Sequence, residues 1–416
     1  MEKSKKLTWD DKLRSWIIKH AMLIGMILLA VLGLYIRYAC WPINLGDLKF
    51  LNSPWYETIK NEGIAAVLDP SLQCNYSPIN LFLMLLVGKL LPNVDTLIVL
   101  KGLFVFFELL LCVSLIALLK YVLVKDEKYN INFFIGYVLI VFNPITIINA
   151  ACWGQTDAIF AFFSVLAILS YIKGKTNLSL VWFGLALAFK MQAVFLLPLF
   201  VVLYFVGPKR INIFSFLIVP AVWLLSSVPM VLVGESPFYI LEVYLGQTSI
   251  YKTLTFNYPN VYALMGEFVT QRGWIITLFT KTGIVFAIAV IGAMAVYLIN
   301  QKQKLSNQNI LLVASWFIFA CVFFLPRMHE RYAFVGEVLL IVWIAATHKP
   351  YRYLYFVGIV STILSAYAYY FVKVSFFPLQ IGALINTIIF ICLTYEVYRE
   401  CSQKNVGNKE GYHVGK

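Results

Sequence analysis

The chain has 416 residues, of which 61% are hydrophobic and 13% charged, with a mean hydropathy of +0.81. This balance excludes a soluble multidomain protein and predicts an all-α, polytopic membrane protein. The formal charge of +13 does not point to nucleic acid, because the lysines and arginines gather in short loops between apolar runs, as on the inner side of a membrane.

The first apolar run, roughly 16–39, follows a polar, basic N-terminus. At about 24 residues it is long enough to span, and no small-x-small cleavage site follows it, so a retained helix is expected and not a signal peptide. Further spans are expected near 97–123, 131–149, 155–172, 177–189, 191–206, 212–233, 275–299, 308–325, 332–347, 353–371 and 378–398, which makes about twelve, with short juxtamembrane or re-entrant helices beside them. The loops Lys125-Asp-Glu-Lys128, Lys173-Gly-Lys175, Lys209-Arg210, Lys302-Gln-Lys304 and Lys349-Pro-Tyr-Arg352 then share the inner side with both termini.

Two irregular segments make this topology consistent. Residues 78–91 offer only about 21 Å of helix against a hydrocarbon core of about 30 Å, so a half-inserted or non-spanning helix is expected. Residues 177–206 are too long for one upright span and too short for two, which predicts a broken hairpin with Lys190 near its tip. If 78–91 spanned and 177–206 formed one tilted helix, Lys125, Lys128, Lys173 and Lys175 would move outside, against the charge rule. Residues 1–400 thus read as one transmembrane domain with two long outer-face segments, 40–96 and 234–274, and 401–416 as a flexible cytoplasmic tail.

Within the first outer segment, Pro54 to Gly63 reads as a short interfacial helix with aromatic anchors. The second is rich in Tyr, including Tyr239, Tyr244, Tyr251, Tyr258 and Tyr262, with Asn257 and Asn260. Such groups suit a membrane interface and can also stack on and hydrogen-bond a sugar. The seven cysteines lack metal-ligand spacing and read as packing residues.

The chemistry-bearing residues fall on the predicted outer side. Asp47 is either the N-cap of a helix beginning at Leu48 or a carboxylate that takes a proton from an attacking hydroxyl. Asp157, in Trp153-Gly-Gln-Thr-Asp157, either complements a helix N-terminus or binds a sugar or partner, with Trp153 and Gln155 at the same mouth. Lys190 either snorkels or, with Gln192, holds an anion. Glu108 is a lone acid within a span whose partner the sequence does not identify. Leu325-Pro-Arg-Met-His-Glu-Arg-Tyr332 places Arg327, His329, Glu330 and Arg331 at a membrane boundary, where charges are costly unless paired, hydrated or ligand-bound. An interfacial ion pair is one reading; a phosphate grip by Arg331 and His329, oriented by Glu330, is the other. Nucleotide-binding, dinucleotide-binding, zinc-protease and Asp-x-Asp signatures are absent from the sequence.

Gly46-Asp47, Asn75-Tyr-Ser-Pro78, Trp153-Gly-Gln-Thr-Asp157, Phe189-Lys-Met-Gln192, Asn257-Tyr-Pro-Asn260 and Met328-His-Glu-Arg-Tyr332 occur in an order that resembles the GT-C class of integral-membrane glycosyltransferases. Among them the chain is most similar to lipid-phosphate-sugar-dependent glucosyltransferases of N-glycan assembly and to bacterial GPI-mannosyltransferase-related proteins. The resemblance covers about residues 30 to 345. It departs from the family pattern at Met191, where proline is usual, and at Asn75-Tyr-Ser-Pro78, where Tyr-Pro-Pro is commoner.

The resemblance implies an inverting transfer of a hexose from a polyprenyl-phosphate donor to a glycan or lipid-linked acceptor at the outer face. It makes Asp47 the general base and His329, Arg331 and Lys190 donor-phosphate ligands. Trp153, Gln155, Asp157, Gln192, Asn257, Asn260, Glu330 and Tyr332 would bind or orient the sugar or acceptor. Neither metal nor cofactor is expected, the lipid-linked sugar being a substrate. The setting expected is a bacterial cell membrane, with cell-wall polysaccharide as the product. A lipid-linked saccharide transporter or flippase, or a polymerase or ligase using a diphosphate-linked donor, are the alternatives.

Overall fold

The structure, a computed structural model, describes residues 8–126, 128–250, 253–266 and 273–402, with only the backbone described at 248–250. Tyr251 and the expected tail beyond residue 402 lie outside these residues. The protein is 79% helical with 1% strand.

Among the described residues, eight helices are long and apolar enough to cross a membrane: Trp9–Ala39, Thr96–Val122, Tyr129–Cys152, Ile213–Val231, Gly273–Asn300, Asn307–Phe324, Pro350–Val372 and Leu379–Cys401. The remaining expected spans fall on shorter apolar helices, Asp157–Ile172, Thr176–Phe189, Met191–Val206 and Phe334–Thr347. Their ends follow ordinary capping rules. Thr8 and Asp11 form a reciprocal capping box, Asp95 accepts from the Leu97 and Ile98 amides, and Ser306 accepts from the Asn309 amide. In the Tyr129–Cys152 segment, Asn143-Pro144 breaks the helix, because proline cannot donate to the preceding turn. A wider turn over Ile148–Cys152 then delivers Trp153.

Asn307–Phe324 forms the centre of the bundle, with 78% of its apolar window buried, while Trp9–Ala39 (6%) and Gly273–Asn300 (17%) turn almost all of theirs outward. A helix hydrophobic all round must meet either protein or lipid, and both solutions occur here. Away from the polar loops 153–157 and 325–333, two buried ion pairs among the described residues interrupt the apolar interior. Glu108 finds its partner in Arg37 of the first helix, through Nε to Oε2 at 2.6 Å and Nη2 to Oε1 at 2.6 Å. Thr146 Oγ1 donates to the same carboxylate at 3.0 Å, and Arg37 also donates to the Val141 carbonyl at 3.1 Å. The second is Arg352, stacked 3.9 Å over Trp343 and donating to Glu396 at 2.5 Å and Glu400 at 2.7 Å.

The bundle has two chemically different ends. At one, Gln308 donates to the Val122 and Ala346 carbonyls, Asn309 to that of Glu400, and Tyr171 to that of Lys209, while Lys173 lies 4.5 Å over the Tyr121 ring. These contacts bring Lys125, Lys128 and the basic loops at 173–175, 209–210, 302–304 and 349–352 to the same end. At the other end lie Asp47, the loop after Cys152, Lys190, the 253–266 segment and residues 325–333. The helix Ser53–Glu62 and the 13-residue helix Pro78–Leu90 also sit there, joined by Lys89 Nζ donating to the Lys60 carbonyl at 3.1 Å. Residues 177–206 are two helices that meet at Lys190, whose backbone is extended (φ −154°, ψ 131°).

Candidate active site

Asp47 owes its position to two interlocked glycines. Gly46 has φ +55°, and a Cβ there would stand 2.9 Å from Tyr370 and 3.2 Å from Trp153 Nε1. Gly154 has φ +70°, and a Cβ there would meet the Leu48 side chain at 2.8 Å. Only glycine meets both the left-handed backbone and the close approach, so the Gly46-Asp47 loop and the Trp153-Gly154 loop seat against each other. Asn52 Nδ2, donating to the Gly154 carbonyl at 3.0 Å, fastens them.

The capping reading of Asp47 does not hold, since its side chain makes no cap hydrogen bond. Its Oδ2 accepts from Gln155 Nε2 at 2.8 Å and its Oδ1 from the Tyr370 hydroxyl at 2.8 Å. Arg331 Nη2 stands 3.4 Å from Oδ2. Asp157, almost fully buried, likewise caps nothing with its side chain. It pairs with Lys190 Nζ, stands 3.5 Å from Arg331 Nε and accepts from Asn149 Nδ2 at 2.9 Å.

Lys190 is held from the opposite side. Asn80 Nδ2 and Ser77 Oγ, at the start of Pro78–Leu90, donate to the Phe189 carbonyl at 2.8 and 3.3 Å. The short helix therefore anchors the tip of the hairpin. The charged loop is anchored too: Arg327 N donates to the Leu254 carbonyl at 2.8 Å, and Met328–His329 pairs in parallel with Thr255–Phe256. His329 sits between the rings of Phe256 and Tyr332, with centroids 4.4 and 4.9 Å away. Fully buried Glu330 stands 3.4 Å from Arg331 Nη1 and 3.8 Å from His329 Nδ1. Arg331 also lies 4.9 Å over the Trp153 ring.

Burial works against the Arg331 charge, but Asp47, Asp157 and Glu330 outweigh it and raise its pKa. Burial disfavours the charged imidazole of His329 and lowers its pKa despite Glu330 beside it. The cations are thus not a free clamp, as the sequence suggested. Asp157 and Glu330 already compensate them from behind, which is how buried charges are made affordable.

Asp47, Gln155, Lys190, Gln192, His329, Arg331 and Tyr332 line a cavity of about 600 Å³, together with Tyr76, Trp55, Arg327 and Tyr370. Trp153, Asp157 and Glu330 stand behind this wall and support it. Asn257 and Asn260 do not join them. Asn257 lines a second cavity beyond Phe256, and the buried Asn260 uses its Oδ1 to accept from the Tyr262 and Ala263 amides. Of the tyrosines expected to meet sugar, Tyr258 is buried, Tyr262 donates to the Phe324 carbonyl, and Tyr244 reaches the cavity edge while donating to the Leu187 carbonyl. Tyr370, Asn149 and Asn80 went unnoticed in the sequence. A tyrosine at the end of an apolar run looks like any interfacial aromatic.

No family model matches the chain, and no curated protein matches it either.

Proposed function

We propose that the protein is an inverting glycosyltransferase that moves a hexose from a polyprenyl-phosphate donor to a hydroxyl of a glycan or lipid-linked acceptor. The observation that carries this reading is a cavity in which Asp47, the one carboxylate among its described lining residues, stands 3.4 Å from an arginine that also meets two buried carboxylates. In the resting site Arg331 is shared with Asp47. When the donor phosphate enters, Arg331 and Lys190 turn toward it, and the Asp47 oxygen released from Arg331 accepts the proton of the attacking hydroxyl. That hydroxyl forms the new bond to the anomeric carbon from the face opposite the phosphate. The carbon–oxygen bond to the phosphate breaks, and the phosphate leaves as an anion that positive charge stabilises, so no general acid is needed.

Eight long apolar helices, and four shorter ones that coincide with the remaining expected spans, support the reading of twelve crossings. The basic loops then lie in the cytoplasm with both termini, and the cavity opens to the outer face. The gathering of polar side chains at one end favours transfer over transport, which calls for access from both sides.

The test is transfer by purified, reconstituted protein from radiolabelled polyprenyl-monophosphate hexose to lipid-linked and glycan acceptors. Transfer by the wild type and its loss in Asp47→Asn are expected. Movement of labelled lipid across liposomes without transfer would replace this reading with the transporter one.

A further inference from the structure

On the far side of Phe256 from the charged cavity lies a second one, of about 510 Å³. Its walls are the 253–266 segment, the last turns of the helix ending at Val372, and residues 375–382. The volume falls in the range of about 300–1,000 Å³ typical of small-molecule sites. Among the described residues, no Asp, Glu, Lys, Arg or His lines it. The described lining therefore gives a charged ligand group no ion-pair partner, while it offers a neutral one hydrogen bonds.

The lining is nevertheless polar. Thr253, Asn257, Tyr369, Ser375 and Gln380 present hydroxyl and amide groups, and Thr253 Oγ1 is buried without a hydrogen-bond partner. Other hydroxyls stiffen the wall: Thr255 donates to the Tyr258 carbonyl at 2.7 Å, and Ser365 accepts from the Phe376 amide at 3.1 Å. Phe256, Phe377 and Tyr369 add aromatic surface.

We infer that this second cavity seats a neutral saccharide. Hydroxyls and amides that both donate and accept match the alternating demands of adjacent sugar hydroxyls, and aromatic rings match the apolar face of a pyranose. Phe256 lines both cavities, and an antiparallel bridge ties the Asn257 backbone to His329, so the seat abuts the charged site. Identifying its occupant as the acceptor rests on the transfer reading above.

The test uses purified full-length protein in lipid nanodiscs, since a maltoside detergent would itself supply a neutral sugar. Saturation-transfer NMR is recorded with glucose, mannose and N-acetylglucosamine, and with glucuronate as a charged comparison. A neutral sugar is expected to give signal in the wild type and to lose affinity about fivefold in Thr253→Val, the effect of one hydrogen bond. Ala366→Phe, which fills the cavity, should abolish the signal; Thr253→Val is nearly isosteric and guards against a general loss of fold. Absence of neutral-sugar signal in the wild type, an equal response to glucuronate, or signal unchanged in both variants would overturn the inference. Failure of transfer from the lipid donor, with the sugar signal intact, would remove only the acceptor assignment.

Discussion

Tyr370 donates its hydroxyl hydrogen to Asp47 Oδ1 at 2.8 Å across 323 residues of chain. The bond joins the loop after the first helix to the penultimate helix and places a neutral donor on the carboxylate proposed as base. Gln155 holds the other oxygen, which fixes the plane of the carboxylate at the cavity wall. Tyr370→Phe is expected to lower kcat about tenfold through misplacement of Asp47, with the donor KM unchanged. Asp47→Asn should cost about 10²–10⁴ in kcat, the usual worth of a general base. Steady-state kinetics check both, and full activity in Asp47→Asn would end the assignment.

Asp157 compensates two cations, so removing its charge is more damaging than removing one of them. Asp157→Asn is expected to lose about 3–5 kcal/mol of stability, the typical consequence of stripping a buried pair of one partner. Lys190→Gln should leave the fold intact and raise the donor KM. Thermal unfolding with parallel kinetics distinguishes them; a stable Asp157→Asn protein would show that the cations are hydrated in place.

The pairing of Arg37 with Glu108 is structural, being sealed from both cavities. Glu108→Gln and Arg37→Met should each destabilise by about 3–5 kcal/mol, while the double variant Arg37→Met/Glu108→Leu should recover most of the loss. Additive losses in unfolding measurements would contradict this.

His329 binds a proton less readily when folded than its ordinary value of 6.5, because burial disfavours the cation. The unfolded chain therefore takes up a proton first as pH falls below about 6.5, and stability falls with it by up to about 1.4 kcal/mol per pH unit. The stabilisation is present above that pH and lost below it. His329→Gln should flatten this part of the stability profile, and an unchanged profile would show that another group carries it.

Sidedness is open to chemical labelling. In a cysteine-free background, Glu62→Cys, at the cavity end, should react with an impermeant reagent applied from outside, and Lys175→Cys should not. Both positions are exposed, so reactivity reports the side and not burial. Modification of both would undo the proposed orientation.

Runs of apolar residues between basic loops determined, by themselves, that the chain is a helical membrane protein, because hydrocarbon requires each backbone amide to be satisfied within its own helix. The same pattern located the break at Lys190 and the short helix at Pro78. Charge cost singled out Glu108 and the 327–331 cluster, while position and the family resemblance singled out Asp47, Asp157 and Lys190. What those residues do to one another was settled only by tertiary structure. Asp157 does stand in the first turn of its helix, but only the tertiary structure shows that it also supports two cations, and Glu108 had no visible partner until the first helix brought Arg37 to it. Tyr370 entered the site, and Asn257 and Asn260 left it, for a related reason. A polar side chain's role depends on which group stands within about 3 Å, a turn away for Asn260 and 323 residues away for Tyr370, and the linear pattern does not show which.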